Sequence, residues 1–380
     1  MKAIINGRII MPDALVEGKA LLYDTKILGL VDPDALPADT EIIDAQSMYV
    51  SPGLVDVHIH GYLGEDASDG NADGIRTMAR GIAKNGVTSW LPTTMTIPKV
   101  KLSEVFDMMR GLREESRSDA WDGAEILGVH AEGPFINESR KGAQKADNIL
   151  LPDAGLARDF ADILRIVTIA PEVEGAMAFI KDVSDNTDLL ISMGHTDATY
   201  ETAMEAIGLG LGHVTHTFNA MTALNHRAPG VVGAALIGPV TAELIADTFH
   251  VHPALFTLMA RCKGDKLVLV TDCTRAGGLA DGVYDLGGQE IFVKGIECRL
   301  ADGTIAGSVL KLHNAVANLR ANTDLPIWEA VNAASRNAAN DIGETRKGTL
   351  ETGRDADIIL VDEAFQVQRT IARGETIFEA

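Results

Sequence analysis

Eight short apolar runs, separated by helix-length stretches, fill the middle of this 380-residue chain. They are Leu54–His58, Val87–Pro92, Ala124–Ala131, Ile166–Ala170, Leu189–Met193, His213–His216, Thr241–Ala246 and Leu267–Thr271. Continuous apolar runs bounded by turn residues fit strands buried on both faces, the pattern of a parallel sheet. The intervening Asp73–Asn85, Leu102–Glu115, Gly175–Ser184 and Tyr200–Gly208 are amphipathic at helical spacing. Strict alternation of strand and helix predicts an α/β fold, a (β/α)8 TIM-like barrel.

Both ends of the chain break that alternation. Residues 1–50 read as short strands (Ala3–Ile5, Arg8–Ile10, Ala20–Tyr23, Lys26–Val31, Glu41–Asp44) punctuated by Gly, Pro and Asp. After residue 282 come strand-like Gln289–Val293, Glu297–Leu300 and Thr304–Ala306, then helical Ser308–Arg320 and Trp328–Asn340. The tail, through Asp357–Val361, Val367–Ile371 and Glu375–Phe378, returns to strands. The economical arrangement is a small β-sandwich domain built from 1–50 plus 345–380, with the barrel, 51–344, inserted between its halves.

Barrel chemistry collects at the C-terminal ends of the strands, and five of the eight inferred ends carry His, Glu or Asp. The first ends in His58-Ile-His60, two imidazoles on one face of an extended segment. Others run into Glu132, His195, His216 and Asp272. Each has an ordinary structural reading: a solvated or packed histidine, or a carboxylate capping a helix. Together they favour chemistry. Neutral imidazoles with a carboxylate make a Zn²⁺-type site with a place left for water, and a bound divalent ion brings that water's pKa to about 7. Asp272 is placed to take the water's proton and pass it to a leaving nitrogen. That set of parts suits hydrolysis of an amide C–N bond. No GxxxxGK[ST] phosphate loop and no GxSxG nucleophile elbow occurs.

Charge narrows the partners. With 33 Lys+Arg against 54 Asp+Glu the net charge is −21, which argues against a nucleic-acid footprint and leaves a small anionic substrate to be met by local donors. Cys262, Cys273 and Cys298 lack metal-finger spacing and fit a reducing cytoplasm. The segment Met1–Ile10 reads as strand, turn and strand, not as a signal peptide, and no run approaches a membrane span of about 18 apolar residues.

These segments resemble the amidohydrolase superfamily. Pro52-Gly-Leu-Val-Asp-Val-His-Ile-His-Gly61 carries the superfamily likeness. His130-Ala-Glu-Gly-Pro-Phe135, Gly194-His-Thr196, His216-Thr-Phe-Asn-Ala-Met221, Thr271-Asp272 and Ala306-Gly-Ser308 are similar to its amino-sugar-phosphate deacetylases. The resemblance implies a metal-dependent hydrolase that frees acetate from N-acetyl-D-glucosamine 6-phosphate. It implies Glu132, His195 and His216 as ligands of a principal metal, His58 and His60 as ligands of a second with Glu132 as the bridge, and Asp272 as base and then acid. It further implies substrate contacts from Ala143, Gln144, Asn219 and Ala220, a phosphate region near Arg227 and His250, and an acetyl side lined by Ile305, Ala306 and Gly307. The cofactor expected is a divalent metal, Zn²⁺ first with Fe²⁺, Co²⁺ or Mn²⁺ as alternatives, one or two per subunit. Arg227 or His250 reaching a neighbouring subunit's site would make a homodimer or homotetramer.

One position departs from the pattern. Some relatives carry a histidine where this chain has Gln144, and that histidine polarises the acetamide; others lack the first-strand pair and use one metal. A second metal on His58 and His60 would make a histidine at 144 unnecessary, with Gln144 supplying a hydrogen bond. The competing readings are the galactosamine epimer as substrate, another amidohydrolase activity, and a non-catalytic sugar-phosphate sensor.

Overall fold

The computed structural model describes residues 1–380. Eight parallel strands form the barrel: β1 (Leu54–Ile59), β2 (Val87–Thr94), β3 (Val129–Phe135), β4 (Leu164–Ile169), β5 (Leu190–Met193), β6 (His213–Val214), β7 (Thr241–Ile245) and β8 (Leu267–Val270). They pair in sequence order from β1 to β8. The barrel closes just beyond β8, where Asp272 N–H donates to His58 O at 2.8 Å and His60 N–H to Cys273 O at 2.9 Å. Thr271 Oγ1 adds a 2.7 Å bond to Asp56 Oδ2 across the same seam. Every residue of β1, β2, β3, β7 and β8 is buried, as strands covered on both faces must be.

The two ends of the chain meet in one six-stranded sheet, ordered Glu375–Glu379, Val367–Ala372, Ile358–Val361, Tyr49–Pro52, Arg8–Met11, Ala14–Val16. Beside it lies a four-stranded sheet of Lys2–Ile5, Ala20–Tyr23, Ile27–Val31 and Glu41–Asp44. Ile4, Ile9, Leu21, Val50, Ile358, Leu360 and Ile371 belong to one shared core there, apart from the barrel's.

Several boundaries differ from the sequence reading. Tyr49–Pro52 is a strand of the end-built sheet, so the chain passes from that sheet to the barrel at Gly53. A Cβ at Gly53 would collide with the Thr88 side chain, so the crossing requires glycine. Ala124–Ala131 splits into Glu125–Ile126 and β3, because Leu127 N–H turns to Trp90 O and Val129 N–H to Ile163 O. Strand β6 stops at Val214, short of His216. Thr304–Ala306 contributes a single bridge, Arg299 to Ile305, and no strand. The unanticipated Gly282–Leu286 joins Gln289–Lys294 and Glu297–Leu300 in a three-stranded antiparallel sheet after β8. Trp328–Asn340 breaks at Ser335 into Ile327–Ala333 and Arg336–Asp341.

Candidate active site

A cavity of about 340 Å³ opens at the C-terminal mouth of the barrel. His60, Glu132, His195, His216 and Asp272 reach it from the ends of five strands. His58 lies beneath them, with no exposed surface. Glu132 joins two sets of nitrogens. Its Oε1 is 2.9 Å from His216 Nε2 and 3.1 Å from His195 Nε2, which are themselves 3.1 Å apart. Its Oε2 is 3.2 Å from His60 Nε2, and Oε1 is 3.4 Å from His58 Nε2. Asp272 Oδ1 lies 3.3 Å from His60 Nε2 and 3.6 Å from His58 Nε2.

The far ring nitrogens of His195 and His60 identify their tautomers, whereas His216 Nδ1 is buried without a partner. His195 Nδ1 is 2.9 Å from Arg140 O and His60 Nδ1 is 3.1 Å from Thr93 O. A carbonyl only accepts, so both Nδ1 atoms carry hydrogen, and each neutral ring turns a lone pair at Nε2 toward the cluster. His58 Nδ1 likewise faces a carboxylate oxygen, Glu243 Oε2, at 2.9 Å. Lone pairs and carboxylate oxygens thus converge at about 3 Å with no hydrogen to share, a donor set that fits a divalent cation. Of three groupings of potential ligands, His58–His60–Asp272 and Glu132–His195–His216 contain residues that line the cavity, whereas His58–His130–Glu243 contains none.

Without a cation the same geometry recruits protons. Burial opposes charge on His60, yet hydrogen bonds to Asp272 and Glu132 outweigh it and push the imidazole up to about 10. Burial also opposes charge on His195 and His58, whose carboxylate neighbours, Glu132 and, for His58, Glu243 as well, nonetheless raise both. Burial would raise Glu132 and Asp272, but the imidazoles hold both carboxyls below the ordinary range. Asp272 is therefore an ionised base at neutral pH. Beneath the seam, burial raises Asp56 to about 7 against its bond from Thr271.

Three chemical groups sit on strained backbone. His195, His216 and Asp272 have φ of +48°, +29° and +48°, and Phe218 and Ala220 of the following loop have +80° and +50°. Left-handed non-glycine residues are uncommon and cluster at functional sites.

The other expected residues fall differently. Ala143, Gln144, Asn219, Ala220, His250, Ile305 and Gly307 line the cavity. Gln144 Oε1 accepts Thr96 N–H at 2.7 Å, which turns its amide nitrogen onto Glu132 Oε2 in a short bond. One amide hydrogen is thereby committed to Glu132 and the other is left for a substrate. His250 Nδ1 donates to Asp247 Oδ2 at 2.6 Å. Ala306 is fully buried behind Ile305 and Gly307 and does not line the cavity. Arg227 stands exposed on the loop after Asn225, its guanidinium against His226, outside the cavity.

Met95, Phe218, Leu286 and Thr304 line the cavity as well and were not among the expected site residues. Leu286 arrives on the unanticipated strand, and Gln289 of the next strand donates to Ala143 O at 2.6 Å, pinning the 142–144 wall. Glu243 was missed too, although a lone carboxylate inside the apolar run Thr241–Ala246 was a readable signal.

The model of the amidohydrolase family matches residues 49–377. The chain is 39% identical over 350 residues to the N-acetylglucosamine-6-phosphate deacetylase of Bacillus subtilis, covering 90% of this chain and 88% of that one. It is 33% identical to the N-acetylgalactosamine-6-phosphate deacetylase of Escherichia coli O157:H7, with 97% of each covered. Among solved structures, a Mycobacterium smegmatis N-acetyl-D-glucosamine-6-phosphate deacetylase variant in complex with N-acetyl-D-glucosamine 6-phosphate superposes with a TM-score of 0.89 at 29% identity, covering 99% of both chains.

Proposed function

The chain belongs to the amidohydrolase family, and from that membership and the site's geometry we propose the reaction it performs: hydrolysis of N-acetyl-D-glucosamine 6-phosphate to D-glucosamine 6-phosphate and acetate. The observation that carries this is Glu132, shared between His195–His216 and His58–His60, with the ionised Asp272 carboxylate 3.3 Å from His60. When bound, a divalent cation supplies Lewis acidity there, acidifying water and polarising a carbonyl.

The chain's own groups supply the rest. Asp272 accepts the proton of the attacking water as the new C–O bond forms. It returns that proton to the nitrogen as the C–N bond breaks, leaving a free amine and acetate. The spare amide hydrogen of Gln144 is offered to the carbonyl oxygen, where negative charge develops. Met95, Phe218, Leu286 and Ile305 give the acetyl methyl an apolar wall. Asp247 holds the His250 ring by Nδ1, leaving Nε2 for the sugar phosphate. Zn²⁺ is the proposed metal and two ions the proposed occupancy, one per grouping. Arg227, exposed beyond the cavity, is proposed to reach a neighbouring subunit's phosphate, which makes the assembly a homodimer or homotetramer. The domains are proposed to divide at Gly53, where the strand Tyr49–Pro52 leaves the end-built sheet, and near 344. The three free cysteines support a cytoplasmic setting, and no helix is long and apolar enough to cross a membrane.

The galactosamine relative keeps the epimer as a second reading. One assay decides: acetate release from the two N-acetylhexosamine 6-phosphates and from unphosphorylated N-acetylglucosamine, with and without chelator. Preference for the glucosamine phosphate, abolished by chelator, is expected. No acetate from any of them overturns the proposal.

A further inference from the structure

A polar column descends from the cation site through the barrel. His58 Nδ1 meets Glu243 Oε2 at 2.9 Å, and the same oxygen accepts the backbone N–H of His216 at 2.8 Å. Glu243 Oε1 faces His213 Nε2 at 3.0 Å, and His213 Nδ1 faces Asp341 Oδ2 at 2.6 Å. The other Asp341 oxygen accepts a short bond from Thr241 Oγ1. His58 stands near the upper end of β1, Glu243 in mid-β7, His213 at the first residue of β6, and Asp341 in the closing helix Arg336–Asp341. Glu243 and His213 have no exposed surface.

Branched aliphatic side chains ordinarily fill this interior, and buried charges are tolerated only when paired and hydrogen-bonded. The pairing here is complete. Three N–H groups converge on Glu243, so it accepts at both oxygens. His213 has a carboxylate at each ring nitrogen, so it donates from both.

We propose that Glu243 is a positioning residue for the cation site, held in turn by His213 and Asp341. Taking the Nδ1 hydrogen of His58 leaves that ring's Nε2 as a lone-pair donor 3.3 Å from His60 Nε2. Taking the His216 N–H holds that residue in its left-handed conformation. One carboxylate thus orients a ligand from each half of the site, and the column passes that constraint to the barrel floor. Outer partners of this kind change metal affinity about 10–100-fold.

The inference rests on the reading that this cluster binds divalent cations, and the test separates the two. Metal-depleted full-length protein is titrated with Co²⁺ by equilibrium dialysis, with visible absorption reporting ligand geometry. Two equivalents on the unsubstituted protein support the two-ion reading; one equivalent overturns it and leaves Glu243 to be judged on that ion's affinity. Glu243→Gln keeps the shape but cannot accept at both ends, so a loss of about 10–100-fold in Co²⁺ affinity and an altered spectrum are expected. Asp341→Asn touches no proposed ligand and is expected to weaken binding in the same direction by several-fold. Unchanged affinity and spectrum in Glu243→Gln overturn the inference. Should that variant not fold, unchanged affinity and spectrum in Asp341→Asn overturn it instead.

Discussion

Replacing Lys347 with Met tests how the two ends of the chain are fastened to the barrel. Lys347 Nζ lies 2.7 Å from Glu125 Oε2 and 2.9 Å from both Asp355 Oδ2 and Asp357 Oδ2, and its side chain is 1% exposed. Glu125 belongs to the short strand at the foot of the barrel, whereas Asp355 and Asp357 lead into the sheet strand Ile358–Val361. Lys347→Met keeps the volume and leaves three buried carboxylates without their common cation. Removing one partner of a buried pair costs about 3–5 kcal/mol. Arg373 at 3.1 Å from Glu125 and Arg346 at 3.3 Å from Asp355 remain, which places the expectation near the lower end, about 3 kcal/mol. For a chain of this length the unfolding entropy is about 0.8 kcal/mol per kelvin, so Tm should fall by about 4 °C. The pH dependence has a definite sign. Burial would raise Glu125 and Asp355, but Lys347 holds both below the ordinary range. Their contribution is therefore present above the unfolded carboxylate pKa of about 4 and lost as pH falls through the lower folded values. In the variant Glu125 and Asp355, each with one cation fewer, protonate more readily, so the deficit should be full at about pH 7.5 and shrink at about pH 4.5. Calorimetry of both proteins at the two pH values measures this. A Tm difference below about 1 °C, or a deficit indifferent to pH, would refute the reasoning.

Three further outcomes follow from the site. Asp272→Asn removes an oxygen from the His58–His60 grouping but none from the other, so it should retain the ion on Glu132, His195 and His216 yet lose about 10²–10⁴-fold in turnover, read as acetate release beside metal content; a near-normal rate would reject the base. Gln144→Leu orphans the buried Thr96 N–H and frees Glu132 Oε2, so thermal unfolding should register about 1–3 kcal/mol and dialysis about tenfold weaker metal binding; no change in either would mean the amide does not orient Glu132. In metal-depleted protein the raised His60 contributes stability that is complete below about pH 6.5 and lost as pH climbs through about 10. Its Tm should therefore decline over that window, and a metal-loaded sample, its ring nitrogens already engaged, should not share the decline.

Much of the fold could be read in the sequence because the barrel strands are buried on both faces, and burial on both faces writes itself as unbroken apolar runs. Strand β8, Leu-Val-Leu-Val, is the plainest case. Gly282–Leu286 escaped because it is mostly exposed and begins with glycine, so it carries neither an apolar run nor clean alternation. Tyr49–Pro52 was hidden differently: it and β1 are both fully buried, and only the collision awaiting a Cβ at Gly53 divides one continuous run between two sheets. At the site, His60, Glu132, His195, His216 and Asp272 were legible from their places at strand ends. Their supports were not. Met95, Phe218 and Leu286 are apolar residues among many, and nothing local says which of them face a cavity. The Gln144 amide is a sharper case. Its residue type permits a bond to substrate or to Glu132, and only the position of Thr96 N–H, 48 residues away in the chain, decides its orientation.

The backbone at the ligands argues that the site is built before any cation arrives. Left-handed φ at a non-glycine residue costs of order 1–3 kcal/mol and persists only where the surroundings over-determine it. Here they do so with backbone bonds that involve no donor atom of the cation site. The His195 carbonyl accepts from Asn137 N–H at 3.0 Å, and the His216 carbonyl from Asn219 N–H at 2.9 Å. Asp272 is held on both sides, its N–H on His58 O and its carbonyl taking Ser308 N–H, each at 2.8 Å. The His216 N–H is held by Glu243. None of these bonds uses Nε2 of an imidazole or a carboxylate oxygen of Glu132 or Asp272. The strain is therefore balanced within the protein, and the convergence of the ligand atoms rests on bonds that leave those atoms themselves free.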